Sequence, residues 1–382
     1  MMLLISTFFI GLIVAVAVIP FLIQLSNRFG WVDQPNNRKI HLFPVSRIGG
    51  VGIFFAIFCA IVPSFLLFNF DSFSWKFLCC SAFAFALGLF DDFSDWRPKY
   101  KLLFQVLLGA ATYFAGFQIQ TIHVGLGHSI SLGIFSLPIT VFWIALIMNA
   151  FNMIDGMDGL ATSYCFITMI GLSILLMVQG QTILSMIGFA TASACLGFYL
   201  YNYHPAKIFM GDSGSQFLGY LLAVLSVKAA YGSSQNVAWV PLTFLSYPLM
   251  ELLLSIIRRT IVQIKKEHKI SIKRVIIKTM IADSDHFHHR LLKYGLSQKI
   301  SNIIIMLFTL LSNLIGFVLI HQSNMMILFG FGLFGFGMVL LLRMLYVEDM
   351  WISQERSEME KEYEIGQKFN PTSIIRKVDS RY

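Results

Sequence analysis

Long apolar runs separated by short polar connections restrict what this chain can become more than any other feature. A helix crossing a bilayer needs about 20 mostly apolar residues. Eleven stretches approach or reach that length: 2–24, 49–69, 75–91, 101–118, 136–150, 161–178, 181–200, 214–231, 237–258, 301–320 and 324–345. The fifth is short and the ninth runs into a charged segment, so the expected count is 10–11. Charged residues make up 13% of the chain, against about 25% in soluble domains, which leaves too few to cover a water-facing surface. The expected fold is therefore an all-α polytopic membrane protein. Residues 1–345 would form the integral-membrane domain and 346–382 a charged tail, solvated and helical at first and disordered around Pro371. No internal repeat or second domain is visible in the sequence.

Lysine and arginine give an orientation, because they accumulate on the cytoplasmic side. With the N-terminus outside, 26 of the 28 basic residues fall on the inside, and only Lys76 and Lys228 lie near the other face. The C-terminus is then cytoplasmic, and the inside connections are 25–48, 92–100, 151–160, 201–213 and 259–300. The formal charge of +8 does not point to nucleic acid, since the charges sit between apolar runs and form no continuous basic face. The first run lacks a basic lead and a small-residue cleavage site, so it reads as a retained span. Cys59, Cys79, Cys80, Cys165 and Cys195 lie in or beside apolar runs without metal-ligand spacing, and read as small hydrophobes. On the outside, 119–137 has the pattern of a small hairpin in which His123 and His128 are turn and surface residues.

Acidic residues before the tail are few, and nearly all stand at inside span ends. Carboxylates at membrane depth are costly and usually functional. Asp91 and Asp92, with Asp95 close behind, end an apolar run, where they repel each other and oppose the helix dipole. Such a group suits a hard divalent cation or a base of raised pKa. The plainer alternative is a surface cluster with Arg97, Lys99 and Lys101. Asn149, Asn152, Asp155 and Asp158 recur at three-residue steps, which would place them on one face of a helical turn. Gly156 and Gly159 beside them allow a ligand to approach the backbone. All-oxygen chemistry favours Mg²⁺ or sugar hydroxyls over zinc. The segment Phe209-Met210-Gly211-Asp212-Ser213-Gly214-Ser215 leads into a span, and small residues at a helix start offer amides to phosphate. Asp212 would hold a bridging cation, or, in the bland reading, Asp212 or Ser213 caps the helix.

Two basic connections complete the inside face. One runs from Asp33 to Gly50 and carries Asn36, Arg38, Lys39, His41 and Arg47. The other carries His286, His288, His289, Arg290 and Lys293. Imidazoles beside Arg and Lys suit a diphosphate; zinc and an ordinary interfacial loop are the alternatives. Together these groups fit phosphoryl transfer from a soluble nucleotide to a lipid phosphate, in which positioning and charge neutralisation dominate. A secondary transporter would place its acids near the midplane, often within repeats.

At these motifs the sequence resembles the polyprenyl-phosphate N-acetylhexosamine-1-phosphate transferase family, and within it the N-acetylglucosamine branch. The resemblance spans about residues 25–345 and rests on five ordered motifs: Asp33 to Gly50, Asp91 to Asp95, Asn149 to Ala161, Phe209 to Ser215, and His286 to His289. It implies transfer of N-acetylglucosamine 1-phosphate from a UDP-sugar to undecaprenyl phosphate, releasing UMP, with Mg²⁺ (or Mn²⁺) as cofactor. Asn152 and Asp212 match metal-holding positions. Asp91 and Asp92 match the pair that prepares the lipid phosphate, Asp155 belongs to the same catalytic group, and Lys101 matches a lysine near the diphosphate. Asp158 matches a nucleoside contact. Asn36, Arg38, Lys39, His41, Asn149, Gly214, His286, His288, His289 and Arg290 match substrate-binding positions. The resemblance also implies the inner (cytoplasmic) membrane, a product that begins a cell-envelope polysaccharide such as O-antigen or teichoic acid, and compatibility with a homodimer. Glu251 stands where that branch usually has aspartate, and 264–280 is long and basic. Both adjoin the histidine loop and leave open another UDP-2-acetamido sugar or UDP-N-acetylmuramoyl-pentapeptide as donor.

Overall fold

The computed structural model describes residues 2–34, 43–67, 72–94, 96–125, 128–230, 240–267 and 286–319. The expected span 324–345 and the tail 346–382 lie outside the described residues. So do Asn36, Arg38, Lys39, His41, Asp95 and the basic stretch from 268 to 285.

Helices account for nearly all of the described chain, as the apolar runs require. They are α1 (Met2–Phe29), α2 (Gly49–Leu67), α3 (Ser72–Ser94), α4 (Pro98–Phe114), α5 (Ser136–Ile154), α6 (Leu160–Val178), α7 (Thr182–Asn202), α8 (Gly211–Ala230), α9 (Val240–Phe244), α10 (Ser246–Glu267), α11 (Phe287–Lys293) and α12 (Gln298–Leu319). Among the described residues, six stretches are long and apolar enough to cross a membrane: Met2–Phe29, Trp75–Ser94, Gly133–Ile154, Leu160–Val178, Thr182–Asn202 and Gln298–Leu319. The protein is thus a mostly helical, multi-pass membrane protein. The expected hairpin is present as β3 (Thr121–Gly125) paired antiparallel with β4 (His128–Ser131).

The distribution of polarity is that of a bundle in lipid. On α12 the buried residues include Ser301, Asn302, Thr309, Ser312 and Asn313, while Leu307, Leu310, Leu311 and Leu314 are exposed. Lipid tails are as apolar as leucine, so polar groups gain by turning inward to find partners. Some buried hydroxyls are satisfied locally: Thr112, Thr191 and Thr309 each donate to the carbonyl four residues back, which is how such residues sit within an apolar helix. On α1 the buried positions Thr7, Gly11, Ala15, Ile19, Leu22 and Ser26 recur at three- and four-residue steps and form one stripe, which packs along α7.

The helix α8 lies at the centre. Every residue from Ser213 to Val227 is buried, and α2, α3, α5 and α6 pack on it. Its first turn meets α3 backbone to backbone at Gly88. A Cβ there would lie 2.1 Å from the Asp212 carbonyl oxygen and 2.6 Å from Ser213 Cα. Only glycine permits that approach. A second strap was not visible in the sequence. The short strands β1 (Val32–Asp33) and β2 (Val45–Ser46) pair, and Ser46 bridges Ile208. Phe209 N–H donates to Ser46 O at 2.7 Å, and Gly50 N–H donates to Met210 O at 2.8 Å. The first inside connection is thereby fixed against the segment that starts α8.

A methyl group at residue 88 must push α3 away from α8. Gly88→Ala should cost about 1–3 kcal/mol, as overpacking does, and lower the melting temperature of the detergent-solubilised protein followed by tryptophan fluorescence. An unchanged melting curve would contradict this contact.

Candidate active site

The two acids that end α3 each find a specific partner. Asp92, 5% exposed, accepts hydrogen bonds from the backbone N–H of Asp212 at 2.7 Å and of Ser213 at 2.9 Å. It follows Gly88 by four residues, so the same face of α3 supplies the close approach and the acceptor. The carboxylate caps the N-terminus of α8 from another helix, and the positive end of α8 offsets its unfavourable place on its own helix. Of the plainer sequence readings, the pairing of an α3 acid with Lys101 is present at Asp91, whereas the amides at the start of α8 are capped by Asp92. Asp91 accepts from the Trp96 backbone N–H at 2.9 Å and pairs with Lys101 Nζ at 2.6 Å. The same ammonium donates to Asp212 Oδ1 at 2.5 Å. Lys101 therefore ties α4 to the ends of α3 and α8.

The segment 149–159 departs from its expected single face. The helix α5 stops at Ile154, with Asp155 at its C-cap (φ −82°, ψ 43°). Gly159 starts α6 at φ 74°. Asp155 and Asp158 accordingly lie in a turn, out of helical register with Asn149 and Asn152. Asn149 faces the interior, where its amide donates to Gln105 Oε1 and Ala145 O, each at 2.7 Å. Gln105 in turn donates to Gln216 at 2.8 Å. Asn152 faces the cleft and accepts from Ser215 Oγ at 2.5 Å. Asp158 Oδ2 pairs with His204 Nδ1 at 2.7 Å and accepts from Ala206 N–H at 3.1 Å. His204 was missed at the sequence level; its place on the inside connection 201–213, beside Lys207, was the available signal.

A cleft of about 680 Å³ brings together Asp92, Asn152, Asp155, Asp158, Asp212 and His289, a size typical of small-molecule sites. Asp33, Arg47 and His204 also line it. Asn149, Gly214, Lys101, Asp91, His286, His288 and Arg290 do not. Gly214 instead packs its backbone against Gly50 and Met210. Asp155 is largely buried on the cleft wall. The surrounding protein, followed by the charges of Asp212, Asp92 and Asp158, holds its carboxyl well above the usual carboxylate range. Burial, then the neighbouring His288 and His286, lowers His289 to about 4, so its ring is neutral at pH 7.

Above this cleft the histidine loop is held by Glu251. That carboxylate, 1% exposed, accepts from the Phe287 backbone N–H at 3.0 Å and the Tyr247 hydroxyl at 2.9 Å, and faces His288 Nδ1 at 3.2 Å. It thus caps α11 from α10.

Among the described residues no three His, Cys, Asp or Glu side chains converge as a ready metal cage. Mg²⁺ usually takes one or two protein carboxylates and completes its shell with water and substrate phosphate. The Asn152 and Asp212 oxygens both face the cleft, among carboxylates whose mutual repulsion a cation would relieve. The donor set therefore fits the ion.

Residues 74–230 match the family model described as glycosyl transferase family 4. The chain is 32% identical over 315 residues to the Bacillus subtilis (strain 168) protein named "Probable undecaprenyl-phosphate N-acetylglucosaminyl 1-phosphate transferase", covering 82% of this chain and 84% of that one. It is 30% identical over 305 residues to the decaprenyl-phosphate N-acetylglucosaminephosphotransferase of Mycobacterium tuberculosis (strain CDC 1551 / Oshkosh), 72% of each chain. A shorter match, 39% over 153 residues, is to the phospho-N-acetylmuramoyl-pentapeptide-transferase of Streptococcus pyogenes serotype M6 (strain ATCC BAA-946 / MGAS10394), covering 37% of this chain and 45% of that one.

The raised pKa of Asp155 has a consequence for stability. A carboxyl held above its unfolded value disfavours the fold when ionised; that cost is full above the folded pKa and vanishes as the pH falls towards the unfolded one. Without divalent cations, Asp155→Asn should raise the melting temperature at pH 8, and the gain should shrink as the pH is lowered to 5. A variant less stable than wild type at pH 8 would show that the Asp155 charge is compensated.

Proposed function

The chain belongs to glycosyl transferase family 4, and from that premise we propose that it transfers N-acetylglucosamine 1-phosphate from UDP-N-acetylglucosamine to undecaprenyl phosphate, releasing UMP. The observation that carries this reading is the acidic cleft at the ends of α3, α5 and α8. Five aspartates, Asp33, Asp92, Asp155, Asp158 and Asp212, face it, so an anionic nucleotide can enter only with a cation. The relatives that match over most of the chain are named for N-acetylglucosamine transfer to a polyprenyl phosphate. The relative named for the muramoyl-pentapeptide matches less than half of either chain, which makes that donor the weaker reading. The distribution of basic residues supports a cleft on the cytoplasmic side of the inner membrane, with the N-terminus outside and about eleven spans.

In the reaction an oxygen of the lipid phosphate attacks the β-phosphorus of the donor. The bond from that phosphorus to the bridging oxygen breaks, and UMP leaves with the electron pair. Asn152 and Asp212 would hold Mg²⁺, whose chemistry is to neutralise the diphosphate charge. Lys101 holds Asp212 in place and adds positive charge behind it. Asp158, oriented by His204 and Ala206 N–H, offers its carboxylate to donor hydroxyls. A phosphate monoester has a second pKa of about 6, so the acceptor is mostly dianionic at pH 7 and needs little base assistance. Where a proton must be taken, Asp92 is the member of the α3 pair that lines the cleft; Asp91 positions Lys101.

Radiolabel transfer from a panel of UDP-N-acetylhexosamines to undecaprenyl phosphate tests the reading with purified protein. Labelling from UDP-N-acetylglucosamine should require Mg²⁺ and fall about a hundredfold in Asp91→Asn and Asp212→Asn. Labelling from another UDP-sugar alone would move the specificity, and folded protein that labels no lipid would end the transferase reading.

A further inference from the structure

On the transferase reading just given, we propose that Glu251 is a positioning residue for donor recognition, holding the Nδ1 side of His288 so that Nε2 is presented to the sugar-phosphate part of the donor. The two residues are 37 positions apart and meet where α10 passes the histidine loop. Glu251 is 1% exposed and His288 is fully buried. An ionised carboxylate only accepts hydrogen bonds, and Glu251 already receives the Tyr247 hydroxyl and the Phe287 N–H. The His288 backbone N–H points to it at 3.4 Å, and Nδ1 lies 3.2 Å from Oε1. Nδ1 must therefore carry the proton, which leaves Nε2 as the nitrogen free to change its partner.

Nε2 is buried and has no hydrogen-bond partner among the described residues. Buried polar atoms in that condition are uncommon and point to a missing ligand or water. The place it faces is informative. A Cβ on Gly156 would lie 2.8 Å from His288 Nε2 and 3.6 Å from His289 Nε2. Gly156 and His289 both line the cleft. With no side chain at residue 156, Nε2 lies directly against the cleft wall, where a small shift of the loop would present it to bound donor. As a lone pair, Nε2 accepts from a sugar hydroxyl or acetamido N–H. The carboxylate at residue 251 thus acts through His288 and touches no substrate itself.

The test compares the donor dependence of lipid labelling in wild type, Glu251→Gln, Glu251→Asp, His288→Gln and the Glu251→Gln/His288→Gln double variant. Glu251→Gln should raise KM for UDP-N-acetylglucosamine roughly tenfold with a smaller change in kcat, and Glu251→Asp should recover most of the loss. The double variant should be no worse than His288→Gln, because both changes remove one interaction. An unmoved KM in Glu251→Gln, or a double variant in which the two losses multiply, would overturn the positioning role. Should the Glu251 variants not fold, ¹⁵N-histidine spectra of the wild-type protein decide, with His288 assigned through His288→Gln. Nδ1 should be protonated, and the Nε2 resonance should shift when UDP-N-acetylglucosamine is added without lipid. An unprotonated Nδ1, or an Nε2 that does not respond, would refute the proposal. Wild-type protein that transfers nothing from any UDP-sugar removes the premise, whereas normal transfer with an unmoved KM in Glu251→Gln removes only the positioning role.

Discussion

The carboxylate of Asp92 rests on the first backbone amides of α8, and the cleft is organised around that contact. It requires α3 and α8 to touch, which Gly88 allows one turn earlier. Once made, it gives a buried acid two charge-assisted hydrogen bonds and places it at the positive end of a helix. The neighbouring Asp91 and the adjoining Asp212 then share Lys101. Three helices that cross different parts of the bundle are thereby joined at one polar point. Without these partners, so many carboxylates at membrane depth would be prohibitively unstable.

The pairing is nevertheless incomplete, and the remainder has functional meaning on the proposed reading. Lys101 and the α8 amides account for Asp91, Asp92 and one oxygen of Asp212. Asp158 is held by His204 and Ala206. Asp155 has no such partner among the described residues, and its pKa is raised first by its surroundings and then by the charges of Asp212, Asp92 and Asp158. Surplus charge of this kind favours a divalent cation arriving with a diphosphate, since Mg²⁺ prefers a few fixed oxygens and completes its shell from the substrate. The neutral His289 and the oriented His288 suit the other role, hydrogen bonding to the sugar phosphate.

Much of this was legible in the sequence, because lipid imposes a simple rule on composition. Apolar runs long enough to cross a bilayer mark helices wherever they occur, and acids between them stand out. The hairpin of β3 and β4 was also expected from the pattern of 119–137. The less legible features depend on partners far away in the chain. Spacing alone suggested one helical face from Asn149 to Asp158; the helix instead ends at Ile154, and Asn149 turns inward to Gln105 across 44 residues. Asp92 as the cap of α8, the strap between Ser46 and Phe209, and Glu251 beneath the histidine loop are likewise tertiary contacts with no local signature. Glu251 first appeared as a departure from a family pattern, and its packing shows what that carboxylate holds.

The central claim is that Asp212 and Asn152, brought together where α5 packs on the start of α8, hold a divalent cation in direct contact with a nucleotide diphosphate. Pulsed electron–nuclear double resonance on Mn²⁺ bound to the purified protein with UDP-N-acetylglucosamine tests it most directly. The account predicts strong ³¹P coupling from the diphosphate in the wild-type protein and its loss in Asp212→Asn. Coupling that persists unchanged in Asp212→Asn, or Mn²⁺ that binds the wild type with no ³¹P coupling, would contradict it.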